Sequence, residues 1–364
     1  MAGSAGRDGG CAVSVDGVPG PMTGPLRRLA VARTGPAGPA AERIPSPIMK
    51  ERHVGRSGLV VSRLGLGTMT WGQDTEPDEA AAQLIAFADA GGTLVDTADV
   101  YSDGDAELIL GHLMRETVDR DDLVVSTKAA IRPDGRYDGS RRHLLSALDA
   151  SLERLGVEYV DLWQLHVYDP STPLEETLGA LDEAVVSGRA RYVGVANFAG
   201  WQAAKAAAWQ RAWPGRAPVV AVHAEYSLLN RDPERELIPA VRDAEAGLLP
   251  WSPLGRGVLT GKYRTGVPAG SRAASAHFAE FVQPFLDEES ARIVESVVTA
   301  AEGLGTTPLA VALGWVRDRP GVAAPIVGAR TAGQLGQALA SEALTLPDEI
   351  RRALDDVSDM AASH

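Results

Sequence analysis

From residue 62 onward the chain alternates between two textures. Short, continuous apolar runs give way to longer stretches in which apolar residues recur every three or four positions. The first texture is that of parallel strands buried on both faces, the second that of amphipathic helices. The predicted strands cover 62–66, 93–97, 123–127, 159–165, 191–196, 219–224, 248–251 and 323–327. Between them fall helices. One spans 75–91, with Leu84 and Phe87 on its stripe and Gly91 as stop, and one spans 106–115. A third is capped by Ser140 and repeats Leu144, Leu145, Leu148, Leu152 and Leu155 before Gly156. Thr172-Pro173-Leu174-Glu175 reads as a capping box for a helix through Leu178, Leu181 and Val185 to Gly188. Others start at Trp201, run through Leu237, Ile238 and Val241, and cover 291–304 and 308–318. Thr331 caps a last one, with Gln334 at the third helical position.

Eight strands, each followed by helix, predict a closed (β/α)8 TIM barrel with additional C-terminal helices. The turn Gly55-Arg56-Ser57-Gly58, flanked by short β-like stretches, predicts an N-terminal β-hairpin ahead of it. The competing architecture is a doubly wound open sheet. It would need G-x-G-x-x-G between the first strand and its helix, whereas Gly65-x-Gly67 continues to Thr70. The connection from Leu254 to Asp287 is too long for an ordinary loop and is expected to serve function.

Residues 1–48, rich in Gly, Pro, Ala and Arg, show no period and are expected to be a disordered tail. Met49 is expected to be the natural start, with 49–364 forming the barrel domain. A formal charge of −13 and a pI near 5.1 argue against non-specific binding to nucleic acid or to an anionic membrane. No apolar run reaches the ~18–20 residues of a membrane-spanning helix. The single cysteine, Cys11, lies in the tail, so the barrel has no thiol chemistry and suits a reducing cytoplasm. Seven histidines without H-E-x-x-H or a close cluster predict no metal.

Four chemically capable residues stand at or just past successive strand ends: Asp96 and Tyr101, Lys128, and His166. Each alone has an ordinary explanation, as a cap, a packed ring, a solvated charge or a core histidine. Adjacent strands of one barrel would bring all four to one mouth, and there they suit proton donation. A free tyrosine titrates near ~10. A neighbouring ammonium favours the phenolate, so Lys128 is expected to lower that value, with Asp96 holding Lys128 charged and His166 orienting a carbonyl oxygen. A hydride would have to come from a cofactor.

The chain from Met49 resembles the aldo-keto reductase superfamily. The resemblance is carried by Leu66-Gly67-Thr68-Met69-Thr70-Trp71-Gly72, by Asp96-Thr97-Ala98-x-x-Tyr101-x-x-Gly104-x-x-Glu107, and by Ser126-Thr127-Lys128. It continues through Asp161-Leu162-x-x-Leu165-His166, Gly194-Val195-x-Asn197-Phe198, Trp251-Ser252-Pro253-Leu254-x-x-Gly257 with Lys262, and Gly328-Ala329-Arg330-Thr331-x-x-Gln334. It is similar to the branch holding Shaker-type channel β subunits and bacterial aldo/keto reductases. The resemblance implies NADPH-dependent reduction of an aldehyde or ketone, with Asp96, Tyr101, Lys128 and His166 as catalytic tetrad and Tyr101 as general acid.

The same resemblance implies an extended NADPH site without a Rossmann unit. Thr68 and Met69 would contact the cofactor, Asn197 and His223 would meet the nicotinamide carboxamide, and Trp251 would stack on the ring. Ser252, Pro253, Leu254 and Gly257 would follow the pyrophosphate; Lys262, Gly328, Arg330 and Gln334 would hold the far phosphate. Arg330 beside a capped helix start suits a 2′-phosphate on chemical grounds as well. Three positions depart from the family: His223 replaces a usual glutamine or asparagine, Ala196 a serine, and Ala338 an asparagine. The alternatives are an NADPH-binding regulatory barrel that serves a partner, and a reductase of nucleotide-linked keto-sugars. Substrate choice is assigned to the loops near Trp71, at 132–137 and at 256–285, where Trp71, Phe278, Phe281 and Phe285 either wall a pocket or pack the loop down. The oligomeric state is not readable from the sequence.

Overall fold

The computed structural model describes residues 49–359. The expectations about residues 1–48 fall outside the described residues. Two short antiparallel strands, β1 (Glu51–His53) and β2 (Val60–Ser62), form the expected hairpin, with Arg52 opposite Val61. Gly55 turns it at φ 58°, and a Cβ there would meet the Glu245 carbonyl oxygen at 2.4 Å. The first barrel strand starts later than its apolar run suggests. Ser62 stays in the hairpin, where its Oγ donates to the Leu64 carbonyl and accepts from the Thr93 amide. The chain bends there before entering the barrel.

The barrel follows in strict alternation: β3 (Gly65–Gly67), α1 (Pro77–Asp89), β4 (Leu94–Asp96), α2 (Asp105–Glu116), β5 (Val124–Ala129), α3 (Arg141–Leu155). It continues with β6 (Val160–Leu165), α4 (Leu174–Val186), β7 (Ala190–Ala196), α5 (Gly200–Arg211), β8 (Val219–Glu225), α6 (Leu237–Asp243) and β9 (Gly247–Trp251). The long connection after β9 contains the short α7 (Ala279–Val282), then come α8 (Glu288–Leu304), α9 (Pro308–Arg317), β10 (Ile326–Gly328), α10 (Ala332–Ala340) and α11 (Asp348–Asp359).

The eight strands β3 to β10 are parallel, in the order β10-β3-β4-β5-β6-β7-β8-β9. Closure comes where Leu248 of β9 donates its amide to the Gly321 carbonyl at 2.9 Å and accepts from the Ala323 amide at 2.8 Å. That closure excludes the open sheet. The expected capping box at 172–175 is replaced: Thr172 Oγ1 donates to Asp169 Oδ2 at 2.6 Å, and Pro173 opens α4 without a side-chain cap.

Apolar burial is arranged in two shells. Val95, Val125, Trp163, Leu165 and Val193 pack outward against helical residues such as Leu84, Leu110, Leu148 and Leu178. Inside the barrel, Leu94, Leu162, Leu249 and Ile326 form an apolar floor with Val54, Leu59 and Val61 of the hairpin. Above that floor the interior turns polar. Ser126 Oγ donates to Asp96 Oδ1 at 3.0 Å and accepts from Gln164 Nε2 at 2.9 Å. Among the described residues no single helix is long and apolar enough to cross a membrane; α8 and α9 pass such a test only as a pair bent by 101°.

Candidate active site

The carboxyl ends of β4, β5 and β6 deliver the tetrad to one place. Lys128 Nζ donates to Asp96 Oδ2 at 2.6 Å, to the Thr97 carbonyl at 2.8 Å and to the Tyr101 hydroxyl at 3.4 Å. Lys128 and Asp96 are almost completely buried. His166 follows β6, its amide bonded to the Ala129 carbonyl, and its ring meets the Tyr101 ring edge-on with centroids 5.9 Å apart.

The loop carrying Tyr101 is held from behind. Ser102 and Asp103 adopt left-handed conformations, Ser102 Oγ donates to the Trp71 carbonyl at 2.7 Å, and Gly104 turns at φ 97°. A Cβ at Gly104 would meet Arg154 Cδ at 2.9 Å. Glu107, fully buried, accepts from Arg154 Nε and from Thr127 Oγ1, tying α2 to α3 and β5 beneath the loop. Such non-glycine residues with left-handed φ gather at the mouth. Ser102, Asp103, Ala130, Asn197, Ser252 and Arg256 all lie past strand carboxyl ends, and Glu245 is the one exception among the described residues. Backbone strain of this kind is retained where surrounding structure enforces it, and it concentrates at functional sites.

The electrostatics correct one expectation. Burial pushes the Tyr101 phenol up, and although the Lys128 ammonium pulls it down, the net direction is upward. For Lys128 burial works against the charge, but Asp96 and then Tyr101 outweigh it and the ammonium ends above its usual value. His166 is pushed down to about 3 by burial, then by Lys128 and His223, so it is neutral. His223, on β8, is pushed well down by burial and then by Lys128. Both of its buried ring nitrogens lack a protein partner. Asp99, between Asp96 and Tyr101, is raised to about 7 by burial and by the nearby Glu107. Nothing in the local sequence pattern marks Asp99 as part of the site.

The other predicted residues line the same mouth with some reassignments. Thr68 is buried, its amide and hydroxyl both on the Asp96 carbonyl, and Met69 beside it is part-exposed. Asn197 donates from Nδ2 to the His166 carbonyl at 3.0 Å and accepts from Trp251 Nε1 at 2.9 Å, so its amide already bridges two site residues. Trp71 is not a wall: it is fully buried, with Nε1 bonded to Gln83. Ala338 sits on the packed face of α10. Ser252, Leu254 and Gly257 are part-exposed along the segment after β9, and Pro253 is buried in it.

At the far end, amides at and just before the start of α10 already have partners. Gln334 Oε1 accepts from the Arg330 amide, Thr331 Oγ1 from the Gln334 amide, and Glu79 from the Ala332 amide. What remains is a group of cations. Lys262 is pulled below its usual value by burial, with Arg272 and Arg330 adding to the effect against Tyr263. Arg272 was not singled out from the sequence; it lies in the aperiodic connection after β9. Burial lowers it against the opposing pull of Tyr263 and Asp74, Arg330 lowers it further, and its Nη2 would lie 3.5 Å from a Cβ built on Gly328. Among the described residues no three His, Cys, Asp or Glu side chains gather as a metal ion would need.

The sequence profile of the Aldo/keto reductase family matches residues 63–359. The chain is 36% identical over 293 residues to "Probable voltage-gated potassium channel subunit beta" of Oryza sativa subsp. japonica, covering 79% of this chain and 89% of that protein. It is 35% identical over 327 residues to "Uncharacterized oxidoreductase YrpG" of Bacillus subtilis (strain 168), covering 85% of this chain and 96% of that protein. A potassium channel subunit beta of Arabidopsis thaliana, described in the same words as the rice protein, is 35% identical over 293 residues, covering 79% of this chain and 89% of that protein.

Proposed function

This chain belongs to the aldo/keto reductase family, and from that premise we propose that it reduces an aldehyde or ketone to an alcohol with NADPH, using Tyr101 as general acid. The observation that carries the proposal is the buried chain from Asp96 through Lys128 Nζ to the Tyr101 hydroxyl, at 2.6 and 3.4 Å. The hydride would come from a dihydronicotinamide when one is bound. Tyr101, pushed up by burial, keeps its proton in the resting site. As negative charge grows on the substrate oxygen, that proton transfers, and Lys128 stabilises the phenolate left behind. Neutral His166 offers the same oxygen a hydrogen bond without competing for the proton.

The residues present suit the cofactor. His223 has two unpaired buried ring nitrogens, one of which the carboxamide of a nicotinamide would satisfy. Lys262, Arg272 and Arg330 repel one another, and a 2′-phosphate among them would relieve that. A cytoplasmic location belongs to the same proposal. The test is Tyr101→Phe. Carbonyl reduction is expected to fall by about 10²–10⁴-fold with NADPH affinity nearly unchanged. Undiminished turnover would overturn the mechanism.

A second reading is a cofactor-binding barrel that serves a protein partner. It draws on the names of the rice and Arabidopsis relatives and on the exposed Trp201, Trp209 and Trp213 on and just past α5. Tight NADPH binding with no turnover over aldehydes, ketones, quinones and keto-sugars would favour it over the enzyme.

A further inference from the structure

Arg256 occupies a backbone conformation that suits glycine. Its φ is 56°, and Gly255 and Gly257 on either side are left-handed too. Keeping a long cationic side chain there requires compensating contacts. The guanidinium forms a bidentate pair with Glu225 at the end of β8, with Nε to Oε1 and Nη2 to Oε2 both at 2.7 Å. Nη1 donates to the Phe281 carbonyl at 2.5 Å. The same group lies 4.0 Å from the Phe281 ring centroid and 4.7 Å from that of Phe285. One side chain therefore grips α7 by its backbone and by flanking rings, and fastens it to the strand that carries His223.

Phe281, held this way, lies against Trp251, with centroids 6.3 Å apart and planes 20° from parallel. Trp251 is joined through Asn197 to the His166 carbonyl. The aromatic pair is thus continuous with the catalytic mouth, and Glu225 neutralises the charge behind it.

We propose that Phe281 sets substrate specificity as a fixed apolar wall of the mouth, and that Arg256 is the positioning residue that seats it on Trp251. The proposal rests on the carbonyl-reducing reading above. The wall restricts the width of the group that can approach beside Trp251, so slim alkyl aldehydes are admitted over ketones bearing an aryl ring on the carbonyl carbon.

The test compares kcat/KM for propanal and for acetophenone. Phe281→Ala is expected to shift the ratio toward acetophenone by about 10- to 100-fold, mainly through a lower KM for the ketone. Arg256→Gly, which suits the left-handed backbone, should shift it the same way by about 5-fold or more. The double variant should shift it no further than Phe281→Ala alone, because Arg256 acts through Phe281. Arg256→Lys should restore only part of the preference, since an ammonium cannot reproduce the fork on Glu225. Adding Glu225→Gln to Arg256→Gly removes the carboxylate left unpaired, so a folding defect does not mask the result. Equal changes for both substrates, or additive effects in the double variant, would overturn the proposal.

A wild-type protein with no turnover would overturn the function, not the wall. The wall is then read by acrylamide quenching of Trp251, taken as the difference between the protein and Trp251→Phe. Phe281→Ala and Arg256→Gly should both raise it, and unchanged quenching would overturn the wall.

Discussion

Lys128 and Lys262 are single positive charges set near the same mouth, in opposite electrostatic circumstances. Lys128 is enclosed, bonded to Asp96, to a carbonyl and to a phenol, and its partners hold it above its usual value despite burial. Lys262 has guanidinium groups for neighbours and falls below its usual value, through burial and then Arg272 and Arg330. The first arrangement is electrically complete and needs only a proton acceptor. The second gathers three cations near the Asp74 carboxylate, which lies 4.0 Å from Arg330 Nε, and a further anion among them would lower its energy. In the proposed function the first charge would work on a proton and the second would hold a ligand.

The largest effect that can break this contrast is on stability. Lys128→Met leaves Asp96 buried without its counter-charge and is expected to cost about 3–5 kcal/mol, whereas Lys262→Met should change stability by less than about 0.5 kcal/mol. Urea unfolding of the two variants measures it, and similar losses would erase the distinction. Next comes ligand selectivity. Arg272→Ala is expected to weaken NADPH by about 10- to 100-fold and NADH by less than about 3-fold, the value of a hydrogen bond to a charged group. Arg330→Ala should do less, since its Nη1 is also held by the Gly270 carbonyl at 2.9 Å. Fluorescence titration with both nucleotides decides; equal weakening would detach the cluster from the 2′-phosphate.

A third effect, read against pH, concerns the Lys128 end. His166 is held at about 3 in the folded protein, against 6.5 for a free imidazole. The unfolded chain therefore takes up the proton first. The associated stability is present above about pH 6.5 and is lost as pH falls toward about 3. His166→Gln should show a shallower decline in urea midpoint over that window. Identical slopes would remove His166 as a source of acid sensitivity.

What was legible in the sequence was what local pattern encodes. Continuous apolar runs marked the strands, and residues just past them marked the mouth, so Asp96, Tyr101, Lys128 and His166 could be placed together before any coordinates. The polar ladder of Asp96, Ser126 and Gln164 inside the barrel was not legible. Its outward neighbours Val95, Val125 and Trp163 are apolar, and they hide the period-two alternation. Trp71 looked like a wall because its loop borders the mouth, yet its partner Gln83 lies a helix away. The engagement of α10 by Glu79 comes from α1, far off in sequence. Arg272 and Phe281 sit in a connection without period, where only the fold assigns a neighbour. The direction of the Tyr101 shift was missed for a related reason: a sequence supplies the ammonium, but enclosure is a property of the packed site.

The hairpin has a consequence for traffic. Val54, Leu59 and Val61 stopper the barrel at the end away from Tyr101, against Leu94, Leu162, Leu249 and Ile326. Among the described residues the vessel is therefore stoppered at one end and open at the other. Whatever the mouth admits leaves by the rim through which it came.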